Sequence, residues 1–81
     1  MKLVTLEEVK DRLSIDFNTK DDELTMLANS AEGYLYLATG YDFSLLSGSD
    51  DYGDSCMYDV AKEWVLLKCY LDYYNAHTEL D

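Results

Sequence analysis

Apolar residues fall at helical spacing in three stretches of this 81-residue chain, and each stretch carries its own start or stop signals. Leu6, Val9 and Leu13 recur at three- and four-residue intervals behind Thr5, with Glu8 three residues after the threonine. That is a capping box, in which each side chain satisfies the other residue's free backbone N–H, so a first helix is predicted over about 6–13. Ser14-Ile15-Asp16-Phe17 breaks the period, and its alternation predicts an extended elbow with Ile15 and Phe17 tucked inward. A second helix is predicted over about 20–39, capped by Asn18 or Thr19. Asp21, Asp22 and Glu23 fill its first turn, where negative charge complements the positive helix end. Leu24, Leu27, Ala28, Ala31, Tyr34, Leu35 and Ala38 make one continuous stripe, and Gly40 supplies the stop. Opposite that stripe runs a narrower apolar strip, Met26, Gly33 and Leu37, whose glycine permits close approach.

Residues 41–54 form a long connection. Phe43, Leu45 and Leu46 predict a first half that packs down with room for a short helical turn, while Gly48 to Asp54 reads as exposed and mobile. A third helix is predicted over about 55–74, starting near Asp54 or Ser55, and it carries two apolar faces. Met57, Val60, Ala61, Trp64, Leu67, Leu71 and Tyr74 make the first, assigned to the core. Tyr58, Val65, Leu66, Cys69 and Tyr73 make the second, assigned to contact with another subunit. Two partner helices, one of them short, can scarcely enclose a helix that is apolar nearly all round, so self-association is the simpler expectation. Residues 75–81 read as a frayed acidic tail.

The fold expected is therefore all-α, a single domain over 1–81 built as a small bundle of three main helices. Its expected core is Leu6, Val9, Leu13, Leu24, Leu27, Ala31, Leu35, Ala61, Trp64 and Leu71. The expected contact surface is Met26, Gly33, Leu37, Tyr58, Val65, Cys69 and Tyr73.

Composition narrows the function classes. A chain this small buries only ~60% of the surface it exposes when unfolded, so its core is marginal alone. Yet it is 48% hydrophobic and holds eight tyrosines, too rich for a disordered segment and well suited to protein contact. Seventeen acids against six bases give a net charge of −11, which repels nucleic-acid phosphates and argues against sequence-reading DNA binding. Cys56 and Cys69 lie 13 residues apart on one helix, about 20 Å along its axis, so they cannot pair and read as reduced thiols. No apolar run reaches the ~18 residues of a membrane span, and a cytosol-like compartment is expected.

Candidate chemistry is sparse. Asp50, Asp51 and Asp54 with Gly53 suggest a calcium loop, but Tyr52 stands where an acid is needed and position 61 is Ala61 instead of a glutamate. A solvated acidic turn with Asp54 capping the third helix is the better reading. His77 has no nucleophile or second ligand beside it in the sequence and reads as a surface histidine. No phosphate-binding loop or nucleophile motif is present, so the expectation is a non-enzyme with no cofactor and no metal.

The order of elements resembles the small head–tail connector (adaptor) proteins of long-tailed bacteriophages. The resemblance lies in V-T-L-E-E-V-K-D-R-L (Val4 to Leu13), the S-I-D-F elbow, and D-D-E-L-T-M-L-A-N-S-A-E-G-Y-L-Y-L-A-T-G (Asp21 to Gly40). It ends with A-K-E-W-V-L-L-K-C-Y-L-D-Y-Y-N (Ala61 to Asn75). It covers most of the chain apart from the 41–54 loop; the N-A-H-T-E tail departs from it, lacking the basic residue that often follows the last helix. The resemblance implies a structural virion protein, made in the host cytoplasm, that forms a ring, commonly twelvefold, at the head–tail junction. Its implied partners are copies of itself, the portal protein, a downstream head-completion or tail protein, and DNA passing through without sequence-specific binding. The charge of −11 suggests a second expectation, an acidic inhibitor or DNA mimic that binds a basic host protein.

Overall fold

The computed structural model describes residues 1–78, which form α1 (Leu6–Leu13), α2 (Asp21–Thr39), a short 3-10 turn (Phe43–Leu46) and α3 (Tyr52–Thr78). No strand occurs among the described residues, so the protein is an all-α bundle of three helices. The capping box of α1 forms as the sequence predicts. Thr5 Oγ1 accepts the Glu8 N–H at 3.1 Å, and Glu8 Oε1 accepts the Thr5 N–H at 2.9 Å. Its C-terminus is less legible, because Ser14, not a glycine, takes the left-handed conformation that stops the helix. Gly40 ends α2 as expected, with φ of 72° and its N–H donated to the Tyr36 carbonyl at 2.7 Å.

Three predicted boundaries move. α2 starts at Asp21 with Lys20 as an N-cap that makes no side-chain bond. Asn18 does not cap it with its side chain, whose oxygen accepts from Lys10 Nζ at 2.8 Å; its backbone carbonyl instead accepts the Asp21 N–H at 3.2 Å. α3 is longer than predicted at both ends. Its first turn is capped by Asp51, whose Oδ1 accepts the Asp54 N–H at 3.0 Å, while Asp54 accepts from the Ser49 hydroxyl. The acidic turn is thus ordered into the helix start. At the other end α3 continues through 75–78, where a frayed tail was expected; residues 79–81 lie outside the described residues.

One core holds the elements together. Val9 and Leu13 of α1, Leu24, Ala28 and Ala31 of α2, and Ala61, Val65, Leu66 and Cys69 of α3 are buried in it, joined by Leu3, Val4 and Ile15. Leu6, Leu27, Leu35, Phe43 and Trp64 pack half-buried at its edge. Burial pushes the Cys69 thiol up to about 11, so it behaves as a small inert hydrophobe. α2 and α3 run antiparallel, tied by Glu23 with His77 at one end and by Tyr34 against Trp64 further along.

The two faces of α3 largely exchange the roles predicted for them, although Ala61 is buried in the core as expected and Trp64 packs half-buried against it. Val65 is 0% and Cys69 1% exposed, so both belong to the core and neither is available for subunit contact. Tyr58 and Tyr73, also expected at an interface, sit half-buried against the same core. Conversely Leu71, expected in the core, is 48% exposed, and Met57, Val60, Leu67 and Tyr74 lie exposed with it. The cause is geometric. α1 and α2 both pack on the side of α3 that carries Ala61, Val65, Leu66 and Cys69, and α1 spans only about two turns. Among the described residues only the short turn Phe43–Leu46 reaches towards the opposite side, with Phe43 beside Met57 and Val60 at the start of α3. Two loop expectations also shift: Phe17 and Leu45 point outward, leaving Ile15 and Leu46 as the buried members of their segments.

Candidate functional site

The uncovered side of α3 is the surface on which function can rest. Met57, Val60, Trp64, Leu67 and Leu71 follow one another at intervals of three and four, which places them in one line along α3. Val60 is 68% exposed, Met57 and Leu67 about half, and Trp64 half-buried at the margin. α2 widens the line into a face. Tyr34 lies over Trp64 with ring centroids 5.9 Å apart and planes 14° from parallel, and Lys68 sits 5.8 Å from the Tyr34 ring centre. Leu37, three residues on from Tyr34 and 83% exposed, continues the face outward. At the start of α3 it deepens into an apolar groove of about 300 Å³ lined by Leu35, Phe43, Cys56, Met57, Val60, Ala61 and Trp64.

Charge on this face is sparse and paired. Glu63, three residues after Val60 and four before Leu67, is a carboxylate on this side of α3, and it is paired with Arg12; at the margin Asp72 is paired with Lys68. The guanidinium of Arg12 holds the Glu63 carboxyl below its usual range. Lys62 pairs with Glu8 at 2.7 Å and Lys10 with Asp21 at 2.9 Å, so four of the six basic side chains are spent on ion pairs. Glu8 is held below its ordinary value mainly by its hydrogen bond from Lys62. The unpaired acids, among them Glu7, Asp11, Asp16 and Asp50, are exposed elsewhere.

The residues expected at an interface now divide. Met26, Gly33 and Leu37 are exposed on α2, and no atom lies within 4 Å of where a Cβ on Gly33 would stand, so the monomer itself makes no close approach there. Val65 and Cys69 are interior. The surface that sequence reading missed, Val60 with Met57, Leu67 and Leu71, was visible as an apolar stripe but could not be told from the stripe that is buried.

A second feature went unread because it depends on a contact 28 to 30 residues away in the chain. The Glu32 carboxylate of α2 accepts the backbone N–H groups of Lys2, Leu3 and Val4 at 2.8, 3.1 and 3.0 Å. This single side chain clamps the extended N-terminal segment and puts Leu3 and Val4 into the core. The segment borders a second depression of about 450 Å³, lined in part by Lys2, Glu32, Tyr36, Tyr41 and Asp42. Among the described residues no cluster of three or more His, Cys, Asp or Glu side chains could hold a metal ion. Nor is any helix there long and apolar enough to cross a membrane. His77 meets Glu23 at 2.6 Å and so helps dock α3 on α2. No protein-family model, curated protein or solved structure matches the chain.

Proposed function

We propose that this chain is a structural assembly protein of the head–tail connector kind, which performs no chemistry of its own. In this reading copies form a ring under the portal vertex of a long-tailed bacteriophage, extend the DNA channel and offer a platform to the next head-completion or tail protein. The observation that carries it is the open α2/α3 face, largely apolar and with its carboxylate, Glu63, paired to Arg12, on a chain of net charge −11. Such a face is expensive to leave in water and suits a protein that works inside an assembly. The exposed acids fit a channel wall past which DNA slides without adhering. The resemblance of the element order to connectors supplies the specific setting.

The competing reading, an acidic inhibitor or DNA mimic, draws on the same exposed acids but leaves the open apolar face without a purpose. The two part on one experiment. Purified chain is mixed with a portal ring and, separately, with host lysate, and the products are examined by native mass and negative-stain electron microscopy. The connector reading expects a stoichiometric ring on the portal; no binding to any portal, together with capture of one basic host protein, would replace it with the mimic.

A further inference from the structure

We propose that in the free protein the open α2/α3 face is covered by the same face of a second copy, giving a closed two-fold pair. This shares with the connector reading only the assignment of the face to protein contact, and it needs no portal. Three observations converge on a second copy as the occupant.

The first is spacing. Met57, Val60, Trp64, Leu67 and Leu71 alternate intervals of three and four, the repeat by which one helix meets another along a seam. The second is charge. Two chains of net charge −11 repel, and they can meet closely only where neither presents a free carboxylate. The face approaches that condition: Glu63, which lies on it beside Val60 and Leu67, and Asp72 at its margin are each paired with a cation of the same chain. A basic partner would be drawn to the unpaired acids elsewhere. The third is area. The exposed parts of Tyr34, Leu37, Met57, Val60, Leu67 and Leu71 amount to roughly 700 Å², near the ~800 Å² per partner of a stable interface and above the usual largest patch on a monomer.

The contact is isologous because the other exposed apolar side chains offer no face of matching extent. Phe17 sits beside Asp16 and Tyr52 beside Asp50 and Asp51, while Met26 on α2 and Leu45 on the 3-10 turn are single side chains. The neutral face therefore finds its best match in itself, and a two-fold axis closes the assembly at two. Such a pair hides the face until a stronger partner displaces one copy.

The test is the mass of the isolated 81-residue protein by sedimentation equilibrium across the micromolar range. Twice the chain mass of 9.3 kDa is expected. Val60→Glu and Leu67→Glu, each entering a two-fold contact twice, should weaken pairing about a hundredfold or more. Their far-UV circular dichroism should not change, and Phe17→Glu should pair like the parent. A parent that stays monomeric at high salt, a parent that forms rings or an open series without a portal, or glutamate variants that still pair would each overturn the proposal. The connector reading fails by a different result, a protein that pairs normally and never binds a portal.

Discussion

Two valines five residues apart on α3 give the sharpest test of which side of that helix is interior. Val65 is 0% exposed and Val60 68%, yet both stand in apolar stripes at helical spacing. Val65→Ala removes about two methylene equivalents from a closed site, worth roughly 1.6 kcal/mol in transfer free energy alone. A residual cavity adds to this, since α1 and α2 are both packed against the site and relax only in part, so a total of about 2–3 kcal/mol is expected. For a domain of this size that lowers the midpoint of thermal unfolding by roughly 10–20 °C. Val60→Ala removes the same atoms from water-exposed surface and substitutes a better helix former. Its expected effect is within about 0.5 kcal/mol of zero.

Self-association would blur the comparison, because any pairing stabilises the folded state in a concentration-dependent way. The two alanine variants are therefore best made in a Leu67→Glu background and unfolded in urea, followed by far-UV circular dichroism. Equal m-values would show that only stability has changed. If Val65→Ala lies within about 0.5 kcal/mol of its parent, or Val60→Ala costs as much as Val65→Ala, the assignment of faces given above is wrong.

Two further outcomes follow from polar contacts. Glu32→Ala withdraws the acceptor of three backbone N–H groups and should cost about 2 kcal/mol, with hydrogen exchange at the Leu3 and Val4 amides greatly accelerated; unchanged exchange there would remove the clamp from the account. The Glu8 carboxyl is held below its ordinary 4.5 by the Lys62 hydrogen bond, so its stabilisation is present above the unfolded value and lost as pH falls through the lowered folded value. Thermal melts between neutral and strongly acidic pH should accordingly show a shallower acid loss for Glu8→Gln than for the parent, and identical acid limbs would contradict the pairing.

What the sequence disclosed and what it withheld follow from the range of the interactions involved. The capping box at Thr5 and Glu8 and the glycine stop at Gly40 are local, decided by residues within four positions, and both were readable directly. The start of α3 was misplaced because three aspartates compete for one cap, and only the loop geometry selects Asp51 over Asp54. The choice between the stripes of α3 is not local at all. Both are apolar at the same period, and the decision belongs to where α1 and α2 pass. The Glu32 clamp is more remote still, since a single glutamate on a helix announces nothing about an N-terminal segment some thirty residues earlier.

The open face is a consequence of helix lengths before it is a matter of side chains. α3 has 27 residues, about 40 Å of helix, whereas α1 has eight and spans about 12 Å. One antiparallel partner, α2 with 19 residues, can flank α3 over much of its length on one side only. The molecule is accordingly elongated, 45 by 25 by 16 Å, with a radius of gyration of 13.4 Å against about 12 Å for a compact chain of this length. A thin, elongated body of 81 residues must leave much of its longest helix in solvent, and a polar sequence there would have made a sufficient monomer. This chain instead keeps Met57, Val60, Leu67 and Leu71 on that side, and pairs the carboxylate it places among them, Glu63, with Arg12. Apolar residues retained where the fold cannot cover them, with the repelling charge there paired, are what an intermolecular contact between like-charged chains requires. The length mismatch makes the vacancy, and the charge pattern restricts what can fill it.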